Sequence, residues 1–206
     1  MLRWLITFQR GALGPVGQYW EVGKLASGLS NKLTGQIGEF LVCAEMGRQL
    51  DLVAAPFAGN VPAFDLLVAD EQCRSVAIQV KAARGTQWPS RADSWLKLTV
   101  VDGDQIDGGD QEIDHPNLIY VFVAIAPRGA AQQSDNLRDR FFILTKRDVQ
   151  GILTAAYRKY MKERKIPWHR PHNPASFDAR IDASQMTNFE DNWELVRHQL
   201  AAQTSA

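Results

Sequence analysis

The spacing of apolar residues changes period several times along the chain, and each change marks an element. From Thr34 the apolar positions Ile37, Phe40, Leu41 and Ala44 recur at i, i+3, i+4 and i+7. That repeat predicts an amphipathic helix with Thr34 as N-cap, running to about Leu50, with Glu39 at the margin of its stripe. A short segment, LVAAPF, leads into the turn residues GNVP. FDLLVADEQCRSVAIQVK then reads as two strands joined by a turn over Asp70 to Arg74. ARGTQWPSRAD reads as a polar connection, WLKLTV as a strand by alternation, and DGDQIDGGDQEIDHPN as a solvated acidic loop. The runs LIYVFVAIA and FFILT are continuously apolar and of strand length, as in strands covered on both faces. KRDVQGILTAAYRKYMKERK predicts a helix with Val149, Ile152, Leu153 and Ala156 inward, ended before Pro167. The remaining tail is punctuated by prolines and turns helical around Phe189 to Leu200.

The order is thus helix, a run of three to five strands, helix, which predicts an α/β or α+β arrangement of one domain. Residues 1–33 are broken by glycines and Pro15 and read as an apolar N-terminal arm. Residues 34–206 form the domain, with a C-terminal helical extension from about residue 146.

Composition narrows the functional classes. The 206 residues are 45% hydrophobic and 22% charged, enough for one sizeable core. With 23 basic and 23 acidic residues there is no net field to attract a polyanion, so any such site is a local patch. The richest patch is RKYMKERKIPWHR, where Arg158, Lys159, Lys162, Arg164, Lys165 and Arg170 interleave with Tyr160 and Trp168. Cations of this kind contact phosphates and aromatics stack on bases; cations closing a helix would look the same. Arg84, Thr86, Trp88 and Arg91 form a second candidate rim for nucleic acid. The two cysteines have neither metal spacing nor a disulfide framework, no apolar run reaches membrane-span length, and no signal peptide is evident, so a cytoplasmic protein is expected. The acidic loop fails as an EF-hand because Ile106 occupies a ligand position, and His169 with His172 falls short of the four ligands of structural zinc.

Chemistry concentrates on the hairpin. Along SVAIQVKA, Gln79 and Lys81 share one face while Val76, Ile78 and Val80 share the other. The turn makes the FDLLVA strand antiparallel to it, at a spacing of about 4.8 Å, so Asp65 lies beside Gln79 and Lys81. An amine and two oxygen donors meeting at a strand end suit a hard divalent cation, with the Val80 carbonyl as a further ligand and Glu39 completing the shell. Lys81 would then hold the attacking water and stabilise charge on a phosphate. Taken singly, each residue has a plainer use: Asp65 paired with Arg74 or Arg84, Lys81 snorkelling from a strand end, Gln79 bonded to edge backbone.

The succession of GE in TGQIGEFLVCAEMG, D in AFDLLV and QVK in AIQVKAARG resembles the PD-(D/E)xK nuclease superfamily, in the variant where glutamine replaces the second acid. The resemblance spans Thr34 to about Thr145. It implies a restriction-endonuclease-like core, a central mixed sheet of four to five strands flanked by helices. It further implies Asp65, Gln79, Lys81 and Glu39 as catalytic residues, Asp65, Gln79, Val80 and Glu39 as ligands of Mg²⁺ (or Mn²⁺), and DNA as the substrate, with RNA left open. Gln79 removes one negative charge from the metal shell, which weakens cation binding unless Glu39 or a phosphate compensates. A nuclease-like module that binds nucleic acid or protein without turnover is therefore the alternative. A third is a subunit whose arm docks on a partner or on a second copy as a homo-oligomer.

Overall fold

The first helix is longer than its apolar stripe suggests, and it packs through a different line of residues. The computed structural model describes residues 27–57, 63–127 and 138–203; the expected arm to residue 26 and the GNVP turn lie outside them. Helix α1 spans Ser27–Leu50. Thr34 is an interior residue, not the N-cap: its hydroxyl donates to the Ser30 carbonyl one turn back, at 2.9 Å. The buried line runs Thr34, Gly38, Val42, Met46, Leu50, whereas Phe40 and Ala44, expected inward, are exposed. The stripe is rotated because a threonine and a glycine occupy inward positions that apolar counting passes over. Val42 and Met46 are 0% exposed, and burials of that kind contribute about 1.5–3 kcal/mol each.

Nine strands precede α3: β1 (Val53–Pro56), β2 (Leu66–Ala69), β3 (Ser75–Ala83), β4 (Gln87–Arg91), β5 (Leu96–Val101), β6 (Asp104–Asp110), β7 (Ile119–Ala124) and β8 (Arg140–Thr145) lead to α2 (Lys146–Lys162), and β9 (Asp178–Asp182) then precedes α3 (Glu194–Ala202). The central sheet has five strands in the order β1-β2-β3-β7-β8. β3 and β7 run parallel and all other neighbours antiparallel, so the sheet is mixed, as expected. Two small ribbons, β4 with β9 and β5 with β6, fill the connection between β3 and β7 and the tail.

The strands are covered on both faces. Val76, Ile78 and Val80 of β3 and Val121 of β7 meet α1 and the Trp193, Val196 and Leu200 line at α3. On the other face Phe122, Phe142 and Leu144 meet Val149 and Leu153 of α2, together with Trp88 and Ile181 of the β4–β9 ribbon. Helix α2 starts where expected because Thr145 and Asp148 form a reciprocal capping box.

Three strands correct the sequence reading. ARGTQWPSRAD contains β4, which pairs with β9 in the tail, and the acidic loop contains β6. The β5–β6 turn places Asp102 at φ 50° and Gly103 at φ 88°, the positive pair that tight hairpins require. Two of its acids are held by α2: Arg158 reaches Asp107 at 2.7 Å and Asp110 at 2.9 Å. Gln105, 1% exposed, donates to the Pro174 and Ser176 carbonyls and accepts from the Tyr157 hydroxyl.

A Cβ added at Gly38 would stand 2.4 Å from the Ala82 Cβ, while one at Gly35 would meet nothing within 4 Å. Gly35→Ala is therefore expected to raise stability by about 0.5–1 kcal/mol through helix propensity. Gly38→Ala should lower it by about 1–3 kcal/mol through overpacking. Urea denaturation of both variants checks this; equal effects would contradict the close helix–sheet approach.

Candidate active site at the open edge of β3

β2 begins at Leu66, opposite Ile78, yet β3 continues to Ala83. Residues 80–83 are thus paired with β7 on one side and have no β2 partner on the other. Asp65, the residue before β2, turns into this gap. Its N–H donates to the Ile78 carbonyl at 2.8 Å, and its Oδ2 accepts from the Val80 N–H at 2.7 Å and from the Gln79 side-chain amide. N–H and C=O of one strand residue point to the same side, so the Val80 carbonyl also looks into the gap.

Alternation sets the rest of the site. Gln79, 8% exposed, lies across from Tyr120 of β7, and Lys81, exposed, lies across from Phe122. Asp65, Gln79 and Lys81 therefore meet on one face, as the sequence predicts. Glu39 arrives from the opposite face. Ala82 points to α1, and Gly38 lets the helix backbone come down onto it, which carries the next residue, Glu39, to the edge beside Asp65. Burial raises the Glu39 pKa above the ordinary value, and the Asp65 charge raises it further. Tyr120 is also raised, first by burial and then by Asp65, so its hydroxyl is a neutral donor near the acid.

Gln79 is bonded to the other expected ligand, Asp65. Its NH₂ clamps Asp65, which fixes the acid and occupies one of its oxygens. The alternative partners of Asp65 are engaged elsewhere: Arg74 bonds Asp70 across the β2–β3 turn at 2.6 Å, and Arg84 donates to the Thr34 hydroxyl at 3.3 Å. Among the described residues no three of His, Cys, Asp or Glu gather where they could hold a metal. Any cation here would rest on two carboxylates supplemented by carbonyl and amide oxygens.

The expected nucleic-acid contacts divide. Trp88 is a correction: it is 2% exposed, edge-on to Phe122 and Phe142 with centroids 5.4 and 5.9 Å away. Arg91, exposed, forks onto Asp93, and the Thr86 carbonyl accepts from the Ala183 N–H at 2.9 Å. Arg158 is committed to Asp107 and Asp110, Arg164 to the His169 carbonyl and the Tyr160 ring, and Arg170 to the Ser176 carbonyl. Arg158 fastens α2 to β6, and Arg164 and Arg170 brace the loop that follows α2. Lys159, Lys162 and Lys165 remain exposed, with Lys159 4.0 Å from Glu163. His169 pairs with Asp104 at 2.9 Å, bridging the loop after α2 to the start of β6. Tyr120 escaped the sequence reading because only the β3–β7 register brings it opposite Gln79.

No protein-family model and no curated protein matches the chain. Among solved structures, a bacterial homing endonuclease is similar at 10% identity with a TM-score of 0.45, over 85% of this chain and 98% of that one. A likeness of that size carries no functional weight beside the geometry above. No described helix is long and apolar enough to cross a membrane.

Because Glu39 holds its proton more tightly in the folded chain than in the unfolded one, its ionisation opposes folding. This penalty is absent below the ordinary carboxylate pKa and grows as pH rises through the shifted value. Glu39→Gln should therefore melt higher than the parent at pH 7, with the gap closing toward pH 4; a gap independent of pH would contradict the placement of Glu39.

Proposed function

We propose that this chain is a metal-dependent phosphodiesterase, a DNA endonuclease of the PD-(D/E)xK type with Gln79 in the second acidic position. The observation that carries the reading is the meeting of Asp65, Glu39, the Val80 carbonyl and Lys81 at the one stretch of β3 left open by β2. The donor set suits the ion: carboxylate and carbonyl oxygens are what Mg²⁺ and Mn²⁺ take. Asp65, Glu39 and Val80 would hold it, with Gln79 securing Asp65 or contributing its own oxygen. When bound, the ion neutralises charge on the scissile phosphate and makes its water more acidic. Lys81, cationic and exposed beside Gln79, orients the attacking water and offers an N–H to a phosphate oxygen, where charge builds in the transition state. Buried Phe122 and Phe142 hold that face rigid behind it.

One observation favours a second reading. The Gln79 amide and the Val80 N–H both bond Asp65 Oδ2, so half of the principal carboxylate is satisfied without any ion. A chain of this kind that keeps the fold but binds nucleic acid without cutting it would have the same bonds.

Full-length protein incubated with supercoiled plasmid, single-stranded DNA, single-stranded RNA and a branched junction, in Mg²⁺ and in Mn²⁺, separates the two. Cleavage that needs the ion and falls about a hundredfold or more in both Asp65→Ala and Lys81→Ala is expected. Binding without cleavage by well-folded protein, unaffected by Asp65→Ala, would establish the second reading instead.

A further inference from the structure

The β4–β9 ribbon has two unlike faces. Trp88 and Ile181, opposite each other in the register, are 2% and 1% exposed and anchor it on the side of the central sheet that carries Gln79 and Lys81. The outer face presents Gln87, Pro89 and Arg91 from β4 and Asp178, Arg180 and Asp182 from β9. It therefore looks the same way as Lys81. We infer that this outer face reads base edges in the major groove of duplex DNA, next to the phosphate held at the β3 edge; the inference builds on the nuclease reading and gives it sequence preference.

Shape, chemistry and position support it. A two-stranded antiparallel ribbon is one of the two elements the major groove admits. Arginine pairs with guanine, glutamine with adenine and aspartate with the cytosine amine, and the outer face offers all three types and no lysine. Its two arginines and two aspartates cancel, so it gains little from phosphate contact and is suited to direct readout. Its side chains are pre-arranged: Arg180 donates to Gln87 Oε1 at 3.4 Å, Gln87 bonds Asp182, and Ser184 donates to Asp182 at 2.9 Å. Arg91 is steadied by its fork onto Asp93. The ribbon starts four residues after β3 ends, where Ala183 N–H meets the Thr86 carbonyl. Five residues at about 3.3 Å each cover about five base pairs at about 3.4 Å each, beginning within about one turn of the scissile phosphate. A solvated strand face, or a patch for another protein, is what failure would leave.

The test is selection from a pool of duplexes with a randomised 20-base-pair segment, using the full chain in EDTA so that nothing is cut, followed by sequencing of the bound fraction. A motif of about four to five base pairs should emerge. In Arg180→Ala the preference at one position should drop about tenfold, and in Gln87→Ala at a neighbouring one, while affinity for unselected duplex falls much less. Arg180→Lys, which keeps the charge and loses the fork, should behave like the alanine variant. Circular dichroism melts confirm that these exposed substitutions leave the fold intact. Duplex binding without a motif, a motif identical in all variants, or no duplex binding overturns the inference. Cleavage in Mg²⁺ is scored separately: cutting without a motif sinks only the ribbon proposal, and a variant-sensitive motif without cutting sinks only the nuclease.

Discussion

Gly38 and Ala82 stand so close that no side chain fits between the helix and the strand, and the site depends on that approach. α1 covers the open end of β3 because a hydrogen atom occupies the position where any other residue would place carbon. Val42, Met46 and Leu50 then continue the same line into the core, so the hydrophobic burial that holds the helix also fixes its height over the sheet. Glu39 follows Gly38 in sequence and is carried to the strand edge, where Asp65 arrives from the other face. Two like charges and one amine are thus assembled by packing, at an energetic cost visible in the raised Glu39 pKa.

Much of this was legible in the sequence wherever a pattern is local. The β2–β3 hairpin, the apolar β7 and β8 and the capped α2 each have a period or a turn that sets them apart, and strand alternation alone put Asp65, Gln79 and Lys81 on one face. What stayed hidden depends on pairing between distant residues. β4 and β9 lie about ninety residues apart and are five residues each, so the alternation of Asp178–Asp182 is too short to stand out in a proline-punctuated tail and β4 is masked by Pro89. β6 carries alternating acids that resemble a loop until Arg158 is seen to neutralise them, although its Asp102–Gly103 dipeptide was an available hairpin signal. Trp88 reads as a surface aromatic among polar neighbours only because its partners, Phe122 and Phe142, belong to other strands.

The charge distribution follows from the same economy. A chain with equal numbers of acids and bases uses Arg158 to tie α2 to β6 and Arg164 and Arg170 to brace the loop that follows, while Lys159, Lys162 and Lys165 stay exposed. Arginine suits the structural task because its planar fork satisfies two acceptors at once, and lysine is left for mobile contact with phosphate. Within the basic segment the arginines therefore fasten the chain and the lysines face solvent.

The central claim is that Asp65, Glu39 and the Val80 carbonyl form one cation site. Mn²⁺ titration of the full chain followed by electron paramagnetic resonance tests it most directly. The account predicts one saturable ion per chain, lost in Asp65→Asn and weakened in Glu39→Gln, with binding tightened in Gln79→Glu, which restores a carboxylate. Mn²⁺ binding indifferent to all three substitutions, or no saturable binding with or without DNA, would contradict it.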